Sequence, residues 1–366
     1  MSKKHNSKSV LALLRTRLAN GTYREGTLLP AESVLAQEFG VSRPTVSKVY
    51  DALVAEGLAY RKRGIGTVAN RPVIKESPRT FGLLLPGAGE SEIFAEINDR
   101  ILRQTDALGI NCECEGTTAN NAETRCMLAV SACESYIAKK VDGIFFAPFE
   151  RVKNAAEVNK NVCELVKNAG IPMVLIDRDV VPLPERSQFD LVCLDNFIGG
   201  TVMARQMIDA GCKNIYFFSN SYSAYSVDMR AKAVMLAVIE EGLDFFAESH
   251  ICGDPKDLNV VRQIPVIRRQ TGIVCANDAT AVILMSSLAE LGYRCGTDYL
   301  LSGFDNMKYS DYLSTPLTSY SQPCAEIADV SIELLLRRMK DSNSHALTIL
   351  LEGKLVERAS TTFARN

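Results

Sequence analysis

The feature that most restricts this chain is a rhythm that begins at Thr80. Short, continuously apolar runs (FGLLLP, GIFFAP, IPMVLID, LVCLDN, IYFFSNS, IVCAND, LLSGFDN) alternate with longer stretches such as EIFAEINDRILRQTDALG and VDMRAKAVMLAVIEEG, whose apolar residues recur at helical spacing. A run without polar alternation suits a strand covered on both faces, and strands separated by helices pair in parallel. The expectation is an α/β fold, with residues 80–366 long enough for two doubly wound parallel-sheet lobes.

Residues before this rhythm differ in charge as well as in pattern. The chain carries 41 Lys and Arg, 43 Asp and Glu, and a net charge of −2. Residues 1–75 hold 13 of the basic and only 5 of the acidic residues, hence +8, and the remainder carries −10. A basic head on an acidic body points to a polyanionic partner. Three helical stretches can be read in the head: SKSVLALLRTRLANG, with Val10, Leu13, Leu14 and Leu18 on one face; PAESVLAQEFG, opened by Pro30 and ended by Gly40; and a third starting at Ser42. Ser42 is an N-cap type and Pro44 is tolerated in the first turn, where a missing N–H costs nothing. Val46, Val49, Tyr50, Leu53 and Val54 then form an apolar stripe, so Arg43, Pro44, Ser47, Lys48 and Asp51 face away from it. Two tightly joined helices, the second offering Arg, Thr, Ser and Lys near its start, are what major-groove reading requires. A short strand at Leu58–Tyr60, the basic glycine turn RKRGIG and a second strand at Thr67-Val68 predict a two-stranded wing.

In parallel α/β sheets, ligands sit beyond the C-terminal strand ends. The residues that follow the strands here are Asp177-Arg178, Ser221-Tyr222, Asn277-Asp278 and Asp305-Asn306. None forms a phosphate loop. Carboxylate, amide and guanidinium beside aromatic rings suit a neutral polyhydroxy ligand, whose hydroxyls both donate and accept. With no Trp in the chain, the rings must come from Phe94, Phe149, Tyr222 or Phe304. The 11 cysteines lack a C-x-x-C pair, and His5, His250 and His345 lie far from any paired cysteines, so reduced thiols and no metal site are expected. The basic N-terminus has no apolar region behind it, and no run of about 18 apolar residues occurs, so a cytoplasmic protein that does not span a membrane is expected.

The stretch LLPAESVLAQEFGVSRPTVSKVYDALVAEGLAYRKRGIGTV resembles the winged helix–turn–helix of GntR-family regulators over about residues 8–70. The resemblance implies that Arg43, Pro44, Thr45, Ser47 and Lys48 face bases or phosphates. It sets Glu32 and Ser33 near the DNA backbone, and Arg63, Gly64 and Gly66 at the wing tip in the minor groove. The family often carries Arg where this chain has Ser47 or Lys48. Residues 80–366 resemble the LacI/ribose-binding-protein type of effector domain, a periplasmic-binding-protein-like type I body. The shared marks are GIFFAPF, IPMVLIDRD, DNFIGG, MRAKAVMLAV, VCANDATAV, LLSGFDN and LTSYSQPCAEIADVSIELL. This resemblance implies a monosaccharide between the lobes, hydrogen-bonded by Asp177, Arg178, Arg230, Asn277, Asp305 and Gln322, with Phe94 and Phe304 stacking and Tyr222 nearby. The family's Asn-Pro-Phe-Phe after the first strand is here Ser91-Glu-Ile-Phe94, and where the family often has Gly after the central Arg–helix motif this chain has Ala233-Val234.

The expected domains are a small α+β winged helix–turn–helix at 1–70, a linker at 71–79 and the effector body at 80–366. Within the body, the first lobe is expected at 80–195 plus 304–322, and the second at 196–303 plus 323–366. The combination resembles arabinose-repressor-type regulators. It implies a homodimeric repressor on a palindromic operator, released by arabinose or a related pentose or deoxyhexose such as fucose, with no cofactor. The alternative is a GntR-headed pyridoxal-phosphate aminotransferase, which would need a Schiff-base Lys; Lys is sparse near the strand ends. A transport binding protein would lack the DNA-reading head.

Overall fold

The computed structural model describes residues 6–70, 78–86, 91–115, 122–182 and 184–364. The chain divides into two compact units, Met1–Ser77 and Pro78–Asn366. Of the linker expected at 71–79, residues 71–77 lie outside the described residues.

In the first unit, α1 (Ser7–Ala19), α2 (Glu32–Phe39) and α3 (Arg43–Ala55) enclose a core of Val10, Leu14, Leu35, Phe39, Val46, Val49, Tyr50 and Leu53. Leu13, expected on the buried face of α1, is exposed. Gly40 ends α2 at φ +62, a left-handed turn that a glycine adopts without strain. Ser42 caps α3: its side chain accepts from Thr45 N at 3.3 Å. The antiparallel strands β1 (Ala59–Lys62) and β2 (Gly66–Ala69) then form the wing, with Lys62 opposite Gly66. Residues 26–29, which carried no strand expectation, run beside β2, where Leu28 bridges to Val68.

The second unit starts with β3 (Thr80–Leu84), α4 (Glu92–Ala107), β4 (Asn111–Glu113), α5 (Ala122–Lys139), β5 (Gly143–Phe146), α6 (Ala155–Ala169), β6 (Met173–Ile176) and β7 (Asp190–Leu194). It continues through α7 (Asn196–Asp209), β8 (Asn214–Ser219), α8 (Tyr225–Glu240), β9 (His250–Cys252), the single turn α9 (Leu258–Val261), β10 (Thr271–Cys275), α10 (Asp278–Glu290), β11 (Tyr299–Phe304) and β12 (Thr318–Ser321). It ends with α11 (Cys324–Lys340), β13 (Thr348–Leu351) and β14 (Lys354–Val356). Two six-stranded sheets result, ordered β4-β3-β5-β6-β7-β13 and β9-β8-β10-β11-β12-β14. Every pairing in them is parallel except β12 with β14. Strands β5, β6, β7, β10 and β11 are buried along their whole length, which is why they read as unbroken apolar runs.

The tail is divided between the lobes differently from the expectation. Residues 304–322 stay in the second lobe, because β12 pairs with β11 and not with the first sheet. Residues 324–351 return to the first lobe: α11 buries Ile327, Ala328 and Leu335 among Phe81, Phe145 and Val174, and β13 pairs with β7. Then β14 crosses back to lie antiparallel to β12. The chain thus passes between lobes after β7, after β12 and after β13. In the second lobe α7 and α8 approach closely at Gly200, where a Cβ would lie 2.5 Å from the Arg230 carbonyl oxygen. Among the described residues no helix is long and apolar enough to cross a membrane.

Candidate effector cavity and nucleic-acid interface

The C-terminal ends of both sheets open onto one cavity of about 220 Å³. That is below the roughly 300–1,000 Å³ of drug-sized sites, so it fits one small molecule. Its polar lining comes from the residue types read off the strand ends. Asp177 and Arg178 follow β6, Asn277 follows β10, Asp305 follows β11 and Gln322 follows β12, while Arg230 projects from α8. Phe94, on the first turn of α4, supplies an aromatic wall, with the Arg178 guanidinium 5.9 Å from its ring centre.

The charges are compensated in place. Arg178 is buried and gives Nε to Asp177 Oδ2 at 2.8 Å and Nη1 to Glu150 Oε1 at 2.9 Å. Burial opposes its charge, but Glu150 and Asp177 outweigh that and hold its pKa above the ordinary arginine value. Burial likewise pushes the Glu150 carboxyl upward, and Arg178 and Arg151 override it, so Glu150 stays below the usual carboxylate range. Arg230 is 4% exposed. Its Nε donates to Asn196 Oδ1 at 2.8 Å, its Nη1 to the Ala276 carbonyl, and its guanidinium stacks 4.3 Å from the Phe304 ring centre. Burial lowers its pKa, opposed by Asp305. Asp305 accepts from Gln322 Nε2 at 2.8 Å, and its enclosure pushes its pKa up against Arg230 and that bond. Gln322 Oε1 is buried without a hydrogen-bond partner among the described residues.

Backbone strain gathers at the same place. Arg151, Asp177, Tyr222, Asp305 and Asn306 take φ of +58, +74, +58, +104 and +51. Non-glycine residues adopt this region at a cost, and such strain clusters at ligand clamps.

Two expected aromatic contacts are corrected. Phe304 does not line the cavity: it is fully buried, and as the last residue of β11 it packs against Tyr320 and beneath Arg230. The Tyr222 side chain is 62% exposed and outside the lining; its carbonyl accepts from Arg151 N at 2.8 Å. Sequence reasoning missed Glu150, Arg151, Asn196 and the clamp formed by Asp278. The fully buried Asp278 carboxylate accepts from Ser319 Oγ (2.7 Å), Ser310 Oγ (2.8 Å) and Met307 N (2.9 Å), fixing the loop after β11. Glu150 lies just past β5, so reading farther beyond each strand end would have reached it.

In the head, Arg43, Pro44 and Lys48 are exposed on the first turns of α3, Ser33 on that of α2, and Arg63, Gly64 and Gly66 on the wing turn. Thr45 and Ser47 are half-buried. The Thr45 hydroxyl lies 2.8 Å from Ser42 Oγ, and Ser47 bonds Glu32. Glu32 is thereby an organiser more than a contact residue, because Arg43 Nε (3.4 Å) and Arg61 Nη1 (3.1 Å) also converge on its carboxylate. Arg61, which sequence reasoning missed, reaches Asp51 Oδ1 at 2.8 Å as well, tying β1 to α2 and α3. Lys48, Lys62 and Arg63 make no ion pair among the described residues.

Two family patterns match the chain: bacterial regulatory proteins of the gntR family at residues 6–68, and the periplasmic binding protein-like domain at residues 204–361. The chain joins a GntR-type winged helix to a LacI-type body. Its curated relatives include the HTH-type transcriptional repressor PurR of Photobacterium profundum, 26% identical over 343 residues that cover 89% of this chain and 97% of the relative. The PurR of Vibrio cholerae is 26% identical over 341 residues, covering 88% and 96%. Among solved structures, the transcriptional regulator CelR–cellobiose complex superposes with a TM-score of 0.65 at 17% identity, covering 91% of this chain and 100% of that one. A LacI family transcriptional regulator from Enterococcus faecium with bound ribose gives 0.62 at 20% identity, covering 78% and 100%. These relatives and neighbours are transcription regulators, not enzymes. This GntR/LacI-type chain is a DNA-binding, repressor-like transcription regulator, and the aminotransferase alternative falls away.

Proposed function

We propose that this regulator represses its target genes by binding a palindromic operator as a homodimer, and that a monosaccharide in the cavity releases it. The effector is arabinose or a related pentose or deoxyhexose such as fucose. The observation that carries this reading is Gln322 Oε1, buried and without a partner among the described residues, in a lining where Asp177, Arg178, Arg230, Asn277 and Asp305 converge beside Phe94. A buried acceptor left unpaired costs about 1–3 kcal/mol, and a sugar hydroxyl supplies the missing donor. Arg178 is paired with the Asp177 and Glu150 carboxylates, and Arg230 is bonded to Asn196 and the Ala276 carbonyl within the field of Asp305, so the lining suits a neutral polyol. A bound ligand in two neighbours of this fold, cellobiose in one and ribose in the other, supports the same class.

Sugar binds the closed lobes better than the open ones and shifts the population toward closure. By linkage, operator and sugar weaken each other equally. In the head, Arg43, Thr45, Ser47 and Lys48 meet the major groove and Arg63, Gly64 and Gly66 the minor groove, with Glu32 and Ser33 beside the DNA backbone. The test is a thermal-shift screen of monosaccharides including L-arabinose, D-ribose and L-fucose. A hit stabilises by about 2.7 kcal/mol at 100 Kd. No shift with any sugar would sink the effector reading.

A further inference from the structure

The two lobes touch across the cavity mouth at a pair of contacts that the effector reading does not use. Glu150, on the first-lobe segment after β5, spends its carboxylate on both sides. Oε1 takes Arg178 Nη1 at 2.9 Å in its own lobe, and Oε2 accepts from Ala224 N at 3.1 Å in the other. Ala224 is the N-cap residue of α8, a helix of 16 residues that no side chain of its own caps. The helix start is electropositive and carries N–H groups without helical partners, so an anion delivered there is favoured. Next to this bond Arg151 N donates to the Tyr222 carbonyl at 2.8 Å, and both residues hold φ of +58. A left-handed non-glycine residue on each side of the cleft persists only where neighbouring contacts enforce it.

We infer that Glu150 is the positioning residue that latches the lobes together, joining the guanidinium of Arg178 in the cavity lining to the N-terminus of α8 across the cleft. The latch shares Arg178 with the proposed effector, so occupancy of the cavity and closure of the mouth are coupled through one side chain. This inference rests on the effector reading only for its consequence; the contact itself is testable without sugar.

The experiment uses the full chain and amide hydrogen exchange without sugar. Ala224→Pro deletes the donor, and the φ of −67 that Ala224 already holds is the value proline imposes. Glu150→Ala deletes the acceptor from the opposite lobe. Each variant is expected to speed exchange of the Arg151 amide by about tenfold, and the double variant no further, because one contact is being removed twice. Glu150→Gln, which keeps an acceptor oxygen, retains slow exchange. Unchanged Arg151 exchange in both single variants, or effects that multiply in the double, overturns the latch. For any sugar that the thermal-shift screen identifies, half-saturation in Ala224→Pro rises about tenfold although residue 224 is outside the cavity lining. If no sugar binds while the exchange results hold, the effector reading falls and the latch stands. If a sugar binds equally well to wild type and Ala224→Pro and exchange is unaltered, the latch falls and the effector reading stands.

Discussion

The head and the cleft both pair arginines with carboxylates, and the two regions put that pairing to opposite use. In the head, Arg43 leaves 74% of its side chain exposed and meets Glu32 at 3.4 Å, and Arg61 is 43% exposed beside Asp51. Pairs this wet are worth about 0–1 kcal/mol and are screened by salt. Such weak pairing suits the proposed DNA contact, in which a carboxylate is exchanged for a phosphate. In the cleft Arg178 and Arg230 are buried, and every partner they lose becomes an uncompensated charge or donor away from water. The same residue type is therefore an adjustable contact in one unit and part of the fold in the other.

Arg178→Ala is the strongest test of that contrast. It leaves Glu150 and Asp177 facing each other without their cation, and the expected loss is about 3–5 kcal/mol of stability. Any monosaccharide-induced thermal shift disappears with it, while operator binding at low temperature persists. Denaturant unfolding together with DNA binding separates the two effects. A variant as stable as wild type would show that the cleft arginines are no more structural than those of the head.

Glycines sharpen the comparison from the side of packing. A Cβ on Gly303 would lie 2.2 Å from Asp278 Oδ1 and 3.1 Å from Asp278 Cα, and Asp278 cannot retreat because three donors hold it. Gly303→Ala is expected to cost about 3 kcal/mol by overpacking. Gly64→Ala, at the wing turn, meets nothing within 4 Å and pays only for its φ of +75, about 1–2 kcal/mol. Equal losses in denaturant titrations would remove the distinction between a packed cleft and an open wing.

Asp278 gives the cleft a pH dependence that the exposed head pairs do not share. Burial, reinforced by Asp305, raises its pKa from 3.8 to about 7 against the bonds from Ser319, Met307 N and Ser310. The folded state holds this proton more tightly than the unfolded chain does. Its contribution to stability is therefore complete below 3.8 and is lost as pH rises through about 7. Unfolding free energies measured across that window should fall with pH, and Asp278→Asn should flatten the trend. A wild-type profile that rises throughout would refute the assignment.

What the sequence disclosed follows from the same physics. Cap chemistry and an apolar stripe are local, so Ser42 and the buried face of α3 could be read directly. Strands buried on both faces announce themselves, and the rule that ligands lie past their C-terminal ends found Asp177, Arg178, Asn277 and Asp305. Arg230 and Gln322 came from family resemblance, because nothing local marks a helix residue or a crossover residue as part of a cavity; Phe94 was one of four candidate rings, which the resemblance singled out together with Phe304. Phe304 was misread because the strand end turns sharply at Asp305, φ +104, leaving the ring in the core and the carboxylate in the cavity. The tail was divided wrongly between lobes because periodicity carries no record of which sheet a strand joins. Glu150 and Asn196 act through partners far away in sequence, Ala224 and Arg230, which a linear reading has no means of pairing.

The smallest expected effects lie in the head and divide by kind of contact. Arg43, at the start of α3, is proposed to read bases; Lys48, one turn farther on and without an ion pair among the described residues, to meet phosphate. Arg43→Ala should cost about 1–3 kcal/mol on the operator and little on unrelated duplex. Lys48→Ala should weaken binding to any duplex alike and lower the slope of log K against log salt by about 1, because one fewer counterion is released. Neither should move the unfolding midpoint, since both side chains are exposed. Fluorescence anisotropy over a salt series, with a selected operator and a random duplex side by side, reads both quantities from one titration. If Lys48→Ala left the salt slope untouched, or Arg43→Ala weakened both duplexes equally, the charges of the head would not be divided between position and sequence in this way.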